Sequence, residues 1–100
     1  MWADRYIAEL KEGNEVSFRP RGNSMVPLIK SGQKVTLAPI GTDEVLKAQD
    51  IVLCTVKGSQ YLHLIKACDG NRFQIGNNRG GINGWTQREK IHGRLIRIEP

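Results

Sequence analysis

The stretch Ile51-Val52-Leu53-Cys54-Thr55-Val56-Lys57-Gly58-Ser59-Gln60-Tyr61-Leu62-His63-Leu64-Ile65-Lys66-Ala67 decides the fold. Two strand-like apolar runs, 51–57 and 61–67, are separated only by Gly58-Ser59-Gln60. A connection that short joins antiparallel neighbours, so the segment reads as a β-hairpin. Side chains on a strand alternate between faces. Tyr61, His63 and Ile65 therefore share one face of the second strand, and Leu62, Leu64 and Lys66 share the other. His63 and Lys66 reach a common partner only through a bulge.

Toward the C-terminus, Asp69-Gly70-Asn71 reads as a second turn leading into a strand at Arg72-Phe73-Gln74-Ile75. Residues 77–84 read as a loop rich in Gly and Asn. Thr86-Gln87-Arg88-Glu89 fits a capping box for one short helical turn, and Leu95-Ile96-Arg97-Ile98 closes as a last strand. Toward the N-terminus, residues 40–50 read as a loop, and Lys34–Ala38 as a strand ending at Pro39. Val16 and Phe18 alternate with polar neighbours as a strand. Ala3, Tyr6, Ile7 and Leu10 fall on one face of an amphipathic helix over 2–12, stopped by Gly13-Asn14. Ser24 to Lys30 reads as about two helical turns, with Ser24 as N-cap, Pro27 in the first turn and Gly32 just past the end. The expectation is a mainly β, small α+β domain spanning 1–100, with a helix over 1–13 and a core over 15–98.

Composition narrows the function classes. No apolar run approaches the roughly 18 residues that span a bilayer, and the N-terminus lacks a secretory layout. A cytoplasmic protein without a membrane span is expected. The net charge of +5 is scattered along the chain, which reads as a solvated basic surface with no specific nucleic-acid binding. Cys54 and Cys68 read as reduced core thiols. Two Cys and two His without paired spacing make a metal site improbable, and no cofactor is expected. His92 reads as a solvated surface residue.

Chemistry concentrates in Arg21-Gly22-Asn23-Ser24-Met25-Val26-Pro27-Leu28-Ile29-Lys30-Ser31-Gly32. Ser24 has two readings, a helix cap or a nucleophile. A serine nucleophile needs a base to take its proton and donors for the developing oxyanion. A helix N-terminus offers free N–H groups, and Gly22 permits close backbone approach. The candidate bases are His63, whose ordinary pKa suits the task unshifted, and Lys66, which would need burial to lose its proton near neutral pH.

These residues resemble the serine peptidases that unite LexA-like repressors with signal peptidases. Gly22-Asn23-Ser24-Met25 is similar to that family's nucleophile motif, and Pro27 to its Ser-Met-x-Pro variant. Gln49-Asp50-Ile51-Val52 resembles a later Gly-Asp-Ile-Val, His63-Leu64-Ile65 occupies the place of the base, and Gly76-Asn77-Asn78 resembles a Gly-Asp-Asn segment. Ile91-His92-Gly93-Arg94 resembles the closing strand. The likeness runs over residues 15–98. It implies coiled β-sheets with an SH3-like barrel element. It further implies a Ser24 nucleophile with His63 as general base, Lys66 being the alternative. Gly22, Asn23 and Met25 would then border the oxyanion site and substrate groove. Substrates with small uncharged residues beside the scissile bond would suit the family pattern.

The chain also departs from the family. Asn77 and Asn83 stand where a carboxylate would orient the base, leaving a side-chain amide as the possible orienting group. Leu64 replaces the family's Arg after the base. No helix-turn-helix half, membrane anchor or Ala-Gly self-cleavage segment is expected. Two functions follow as expectations. One is a serine endopeptidase acting on an extended peptide or protein; the alternative is a catalytically inactive module that binds an extended peptide or protein partner by edge pairing.

Overall fold

The computed structural model describes all residues, 1–100. The β3–β4 hairpin forms as expected, from β3 (Ile51–Val56) and β4 (Ser59–Asp69). The turn is tighter than Gly58-Ser59-Gln60. Val56 pairs with Ser59, and the two central residues, Lys57 and Gly58, have φ of 51° and 82°. Two left-handed residues make the turn whose twist matches paired strands. The remaining strands are β1 (Val16–Phe18), β2 (Lys34–Pro39), β5 (Arg72–Gly76), β6 (Ile82–Gln87) and β7 (Ile91–Glu99). All are antiparallel, in one sheet of order β1-β2-β7-β3-β4-β5-β6. The protein is mainly β, with one N-terminal helix, α1 (Asp4–Lys11).

The sheet is strongly coiled. Register shifts interrupt the β2–β7, β3–β7, β4–β5 and β5–β6 ladders, and each such bulge adds local twist and bend. The β3–β6 half arches until β6 approaches β3, where Thr86 Oγ1 donates to the Thr55 carbonyl at 2.7 Å. Strand alternation then feeds two cores. Leu53, Leu62 and Leu64 pack with Ile7, Leu10, Val35 and Leu37 under α1. Val52, Cys54, Val56 and Ile65 pack with Phe73, Ile75, Ile91 and Leu46 inside the arch. Burial on both faces explains why β3 and β4 read as continuous apolar runs.

Several expectations are corrected. Ser24–Lys30 is not a helix, and Ser24 is not its cap: the segment is a succession of turns. They are closed by Val26 N–H to the Asn23 carbonyl at 3.2 Å and Ile29 N–H to the Met25 carbonyl at 3.0 Å. Pro27 lacks an N–H and disfavours helical backbone at Val26; the Val26–Pro27 bond is cis. The loop expected over 77–84 ends at residue 81, since Ile82 and Gly84 pair with Gly76 and Ile75 of β5 as strand β6, with Asn83 the extra residue of a bulge between them. The expected capping box is not formed. Thr86 lies within β6, and only Arg88–Lys90 makes a 3-10 turn, with no side-chain cap. Cys54 is buried but Cys68, at the far end of β4, is exposed.

The β5–β6 connection is closely fitted. A Cβ on Gly76 would lie 2.5 Å from the Gly81 carbonyl oxygen and 3.1 Å from Lys66 Cε. Backbone cannot yield as a side-chain end can. Gly76→Ala is expected to lower the unfolding free energy by about 1–3 kcal/mol, read as a lower urea midpoint with unchanged slope.

Candidate active site

Ser24 is exposed on a loop fastened at several points. Met25 and Ile29 are buried in the core beneath α1. At the loop neck, Gly32 N–H donates to the Pro20 carbonyl at 2.9 Å and Gly22 N–H to Ser31 Oγ at 3.2 Å. Gly22 has φ of 106°, backbone that a side chain would strain. A grip comes from across the fold: Asn78 N–H donates to the Ser24 carbonyl at 2.8 Å, and Asn78 Nδ2 donates to the Val26 carbonyl at 3.0 Å.

His63 projects from the uninterrupted β3–β4 ladder, only 9% exposed. Its Nε2 lies 3.2 Å from Ser24 Oγ, and its Nδ1 lies 2.7 Å from Asn83 Oδ1. An amide oxygen only accepts, so Nδ1 carries the proton and donates to Asn83. Nε2 of the neutral ring is then the acceptor for the Ser24 hydroxyl. Tyr61, two residues earlier on the same face, stacks on the imidazole with centroids 5.1 Å apart and planes 22° apart. Burial pushes the His63 pKa below its ordinary 6.5, and the Asn83 hydrogen bond opposes that shift. The ring is therefore neutral near pH 7, the state in which Nε2 accepts a proton.

The other residues singled out in the sequence divide clearly. Asn83 faces the imidazole; Asn77 does not. Asn77 Oδ1 accepts from Arg79 N–H at 2.8 Å and Gly81 N–H at 2.9 Å, which shapes the turn that presents Asn78. Lys66 is the extra residue of the β4–β5 bulge. It makes no hydrogen bond or ion pair, and its chain lies over Gly76. The N–H groups of Asn23, Ser24 and Met25 make no hydrogen bond within the chain, leaving three adjacent donors beside the hydroxyl. Asn78 and Tyr61 were not legible as site residues. Asn78 sits in the Gly76-Asn77-Asn78 segment but acts through the Ser24 backbone, and period-two spacing alone placed Tyr61 on the face of His63.

His92 is half-buried rather than solvated, with Nε2 2.8 Å from Thr55 Oγ1. Burial, then Lys11 and Lys90, hold its pKa below 6.5. No three His, Cys, Asp or Glu side chains gather as a metal site, and no helix is long and apolar enough to cross a membrane. Beside Ser24 and His63 lies a cleft of about 490 Å³ that Trp2, Tyr6, Phe18, Met25 and Leu62 also line.

Both histidines titrate lower in the folded chain than their ordinary 6.5. The unfolded chain therefore binds more protons just below that value. The associated stability is present above about pH 6.5 and is lost as pH falls through the folded values. Thermal midpoints are expected to drop between about pH 7 and pH 5, and His92→Gln should flatten that drop.

No protein-family model matches this chain and no curated protein matches it, so the functional reading stands on the site's geometry and on the motif likeness.

Proposed function

We propose that this protein is a serine endopeptidase with Ser24 as nucleophile, His63 as general base and Asn83 orienting the base. The observation that carries this reading is the relay Ser24 Oγ, His63 Nε2, His63 Nδ1, Asn83 Oδ1, with separations of 3.2 and 2.7 Å. The likeness of Gly22-Asn23-Ser24-Met25 to the nucleophile motif of LexA-like and signal peptidases supports it.

In this mechanism Ser24 Oγ attacks the scissile carbonyl carbon while its proton passes to His63 Nε2. The carbonyl oxygen becomes an oxyanion beside the unpartnered N–H groups at residues 23–25. The intermediate collapses, the C–N bond breaks, and His63 gives the proton to the leaving amine. Water then attacks the Ser24 ester with His63 again accepting a proton, and the carboxylate product leaves with Ser24 Oγ reprotonated. Asn83 fixes the tautomer throughout by accepting from Nδ1, but it brings no negative charge to the imidazolium.

That neutral partner favours a second reading, in which the groove binds an extended peptide without cleaving it. A peptide library followed by mass spectrometry between about pH 6 and 9 separates the two. The peptidase reading expects cleavage that Ser24→Ala abolishes and His63→Gln reduces at least about a hundredfold, with folding unchanged. Wild-type protein that binds peptides yet cleaves none supports the second reading. A further expectation concerns Asn83→Asp. A carboxylate there would stabilise the imidazolium, raise kcat by about tenfold and move the acid limb of the pH profile upward.

A further inference from the structure

The cleft beside Ser24 is shaped for more than a small side chain. One wall is a cluster of three rings. Tyr6 and Phe18 stack with centroids 4.4 Å apart, and Trp2 meets Phe18 edge-on at 5.6 Å. The wall is held in place through Gln60. Trp2 Nε1 donates to the Gln60 carbonyl at 3.1 Å, and Gln60 Oε1 accepts from Ala3 N–H at 2.8 Å. Met25 supplies buried apolar surface at the same cleft. A volume of about 490 Å³ lies in the usual range for ligand pockets and exceeds what an alanine-sized group fills.

The rim carries charge of one sign. The charged residues that line the cleft are Arg19, Arg21 and Lys30, with no carboxylate among the lining residues. Arg19 is engaged, donating to the Gly32 and Pro100 carbonyls at 2.8 and 3.2 Å. The Arg21 and Lys30 side chains make no hydrogen bond or ion pair. The neck bonds between Pro20 and Gly32 and between Gly22 and Ser31 draw together the two legs of the loop that carry these residues. Unpaired cations of one sign at a cleft mouth favour anionic partners and oppose cationic ones.

We propose that this cleft selects acidic peptide segments bearing a bulky apolar side chain. The apolar side chain packs on the Tyr6, Phe18 and Trp2 wall, and flanking carboxylates face Arg21 and Lys30. The inference rests on the reading that the cleft is the peptide groove of Ser24, and it departs from the small uncharged residues that the family likeness suggests.

Binding of short labelled peptides to the Ser24→Ala protein, followed by fluorescence anisotropy at low salt, tests it without requiring cleavage. Matched peptides carry Phe or Ala at the centre and Glu, Gln or Lys at the flanks. The Phe peptide with Glu flanks should bind about tenfold more tightly than either the Ala-centred or the Lys-flanked peptide. The double reversal Arg21→Glu with Lys30→Glu, at exposed positions, should invert the preference toward Lys flanks. Added salt should erase the charge preference and leave the Phe preference. Equal binding of the Phe and Ala peptides overturns the apolar assignment; a charge preference that survives the double reversal overturns the assignment to Arg21 and Lys30. Wild-type protein that cleaves only Ala-centred or Lys-flanked peptides overturns this inference while upholding the peptidase reading. Wild-type protein that cleaves nothing, while Ser24→Ala shows the expected ranking, does the reverse.

Discussion

Lys57 and Gly58 both occupy left-handed backbone conformations, and their two-residue turn pairs Val56 with Ser59. Counting along the unbroken ladder, that turn also pairs Val52 with His63. A slip of one residue would carry Leu62 and Leu64 out of the core beneath α1 and turn His63 away from Ser24. Burial on both faces of the hairpin makes the slip costly, since each buried leucine contributes roughly 1.5–3 kcal/mol. The orientation of the imidazole is therefore enforced by the same apolar packing that stabilises the fold.

Electrostatics at the site follow from a neutral partner. A carboxylate at Nδ1 would need compensation in a half-buried position, and it would lift the histidine's affinity for protons. An asparagine fixes the tautomer without either effect. The cost falls on the protonated ring, which gains no opposite charge beside it. The stack of Tyr61 on the imidazole restricts the ring from a second direction. His63 is thus better held than it is electrostatically stabilised.

The strand pattern was legible where side-chain chemistry agrees with the strand period. Ile51–Val56, Arg72–Ile75 and the α1 face at Ala3, Ile7 and Leu10 have no competing local preference. Local preference misleads where contacts distant in sequence override it. Ile82-Asn83-Gly84 looks like loop, yet it becomes strand because β5 offers a ladder and Gly84, with φ of 134°, accommodates the bend. Ser24–Lys30 looks like a capped helix, yet Pro27 and the Asn78 grip leave only turns. The same two segments carry Asn83 and Ser24. The asparagine beside His63 could be narrowed to two candidates from the sequence; choosing between them needed the coil of the sheet, since Asn77 is consumed by its own turn.

The grip of Asn78 on the Ser24 loop spans 52 residues, measured to the Val26 carbonyl. His63 follows Ser24 by 39 residues, and Asn83 follows His63 by 20. During synthesis the loop bearing Ser24 emerges well before His63, Asn83 and Asn78, which complete its surroundings from across the fold. Ser24, His63, Asn83 and Asn78 come together only once the β5–β6 hairpin has emerged and docked. The order of the chain thus imposes a delay: a nascent chain exposes Ser24 without these neighbours, and the hydrogen bonds that surround it arrive with the completed fold.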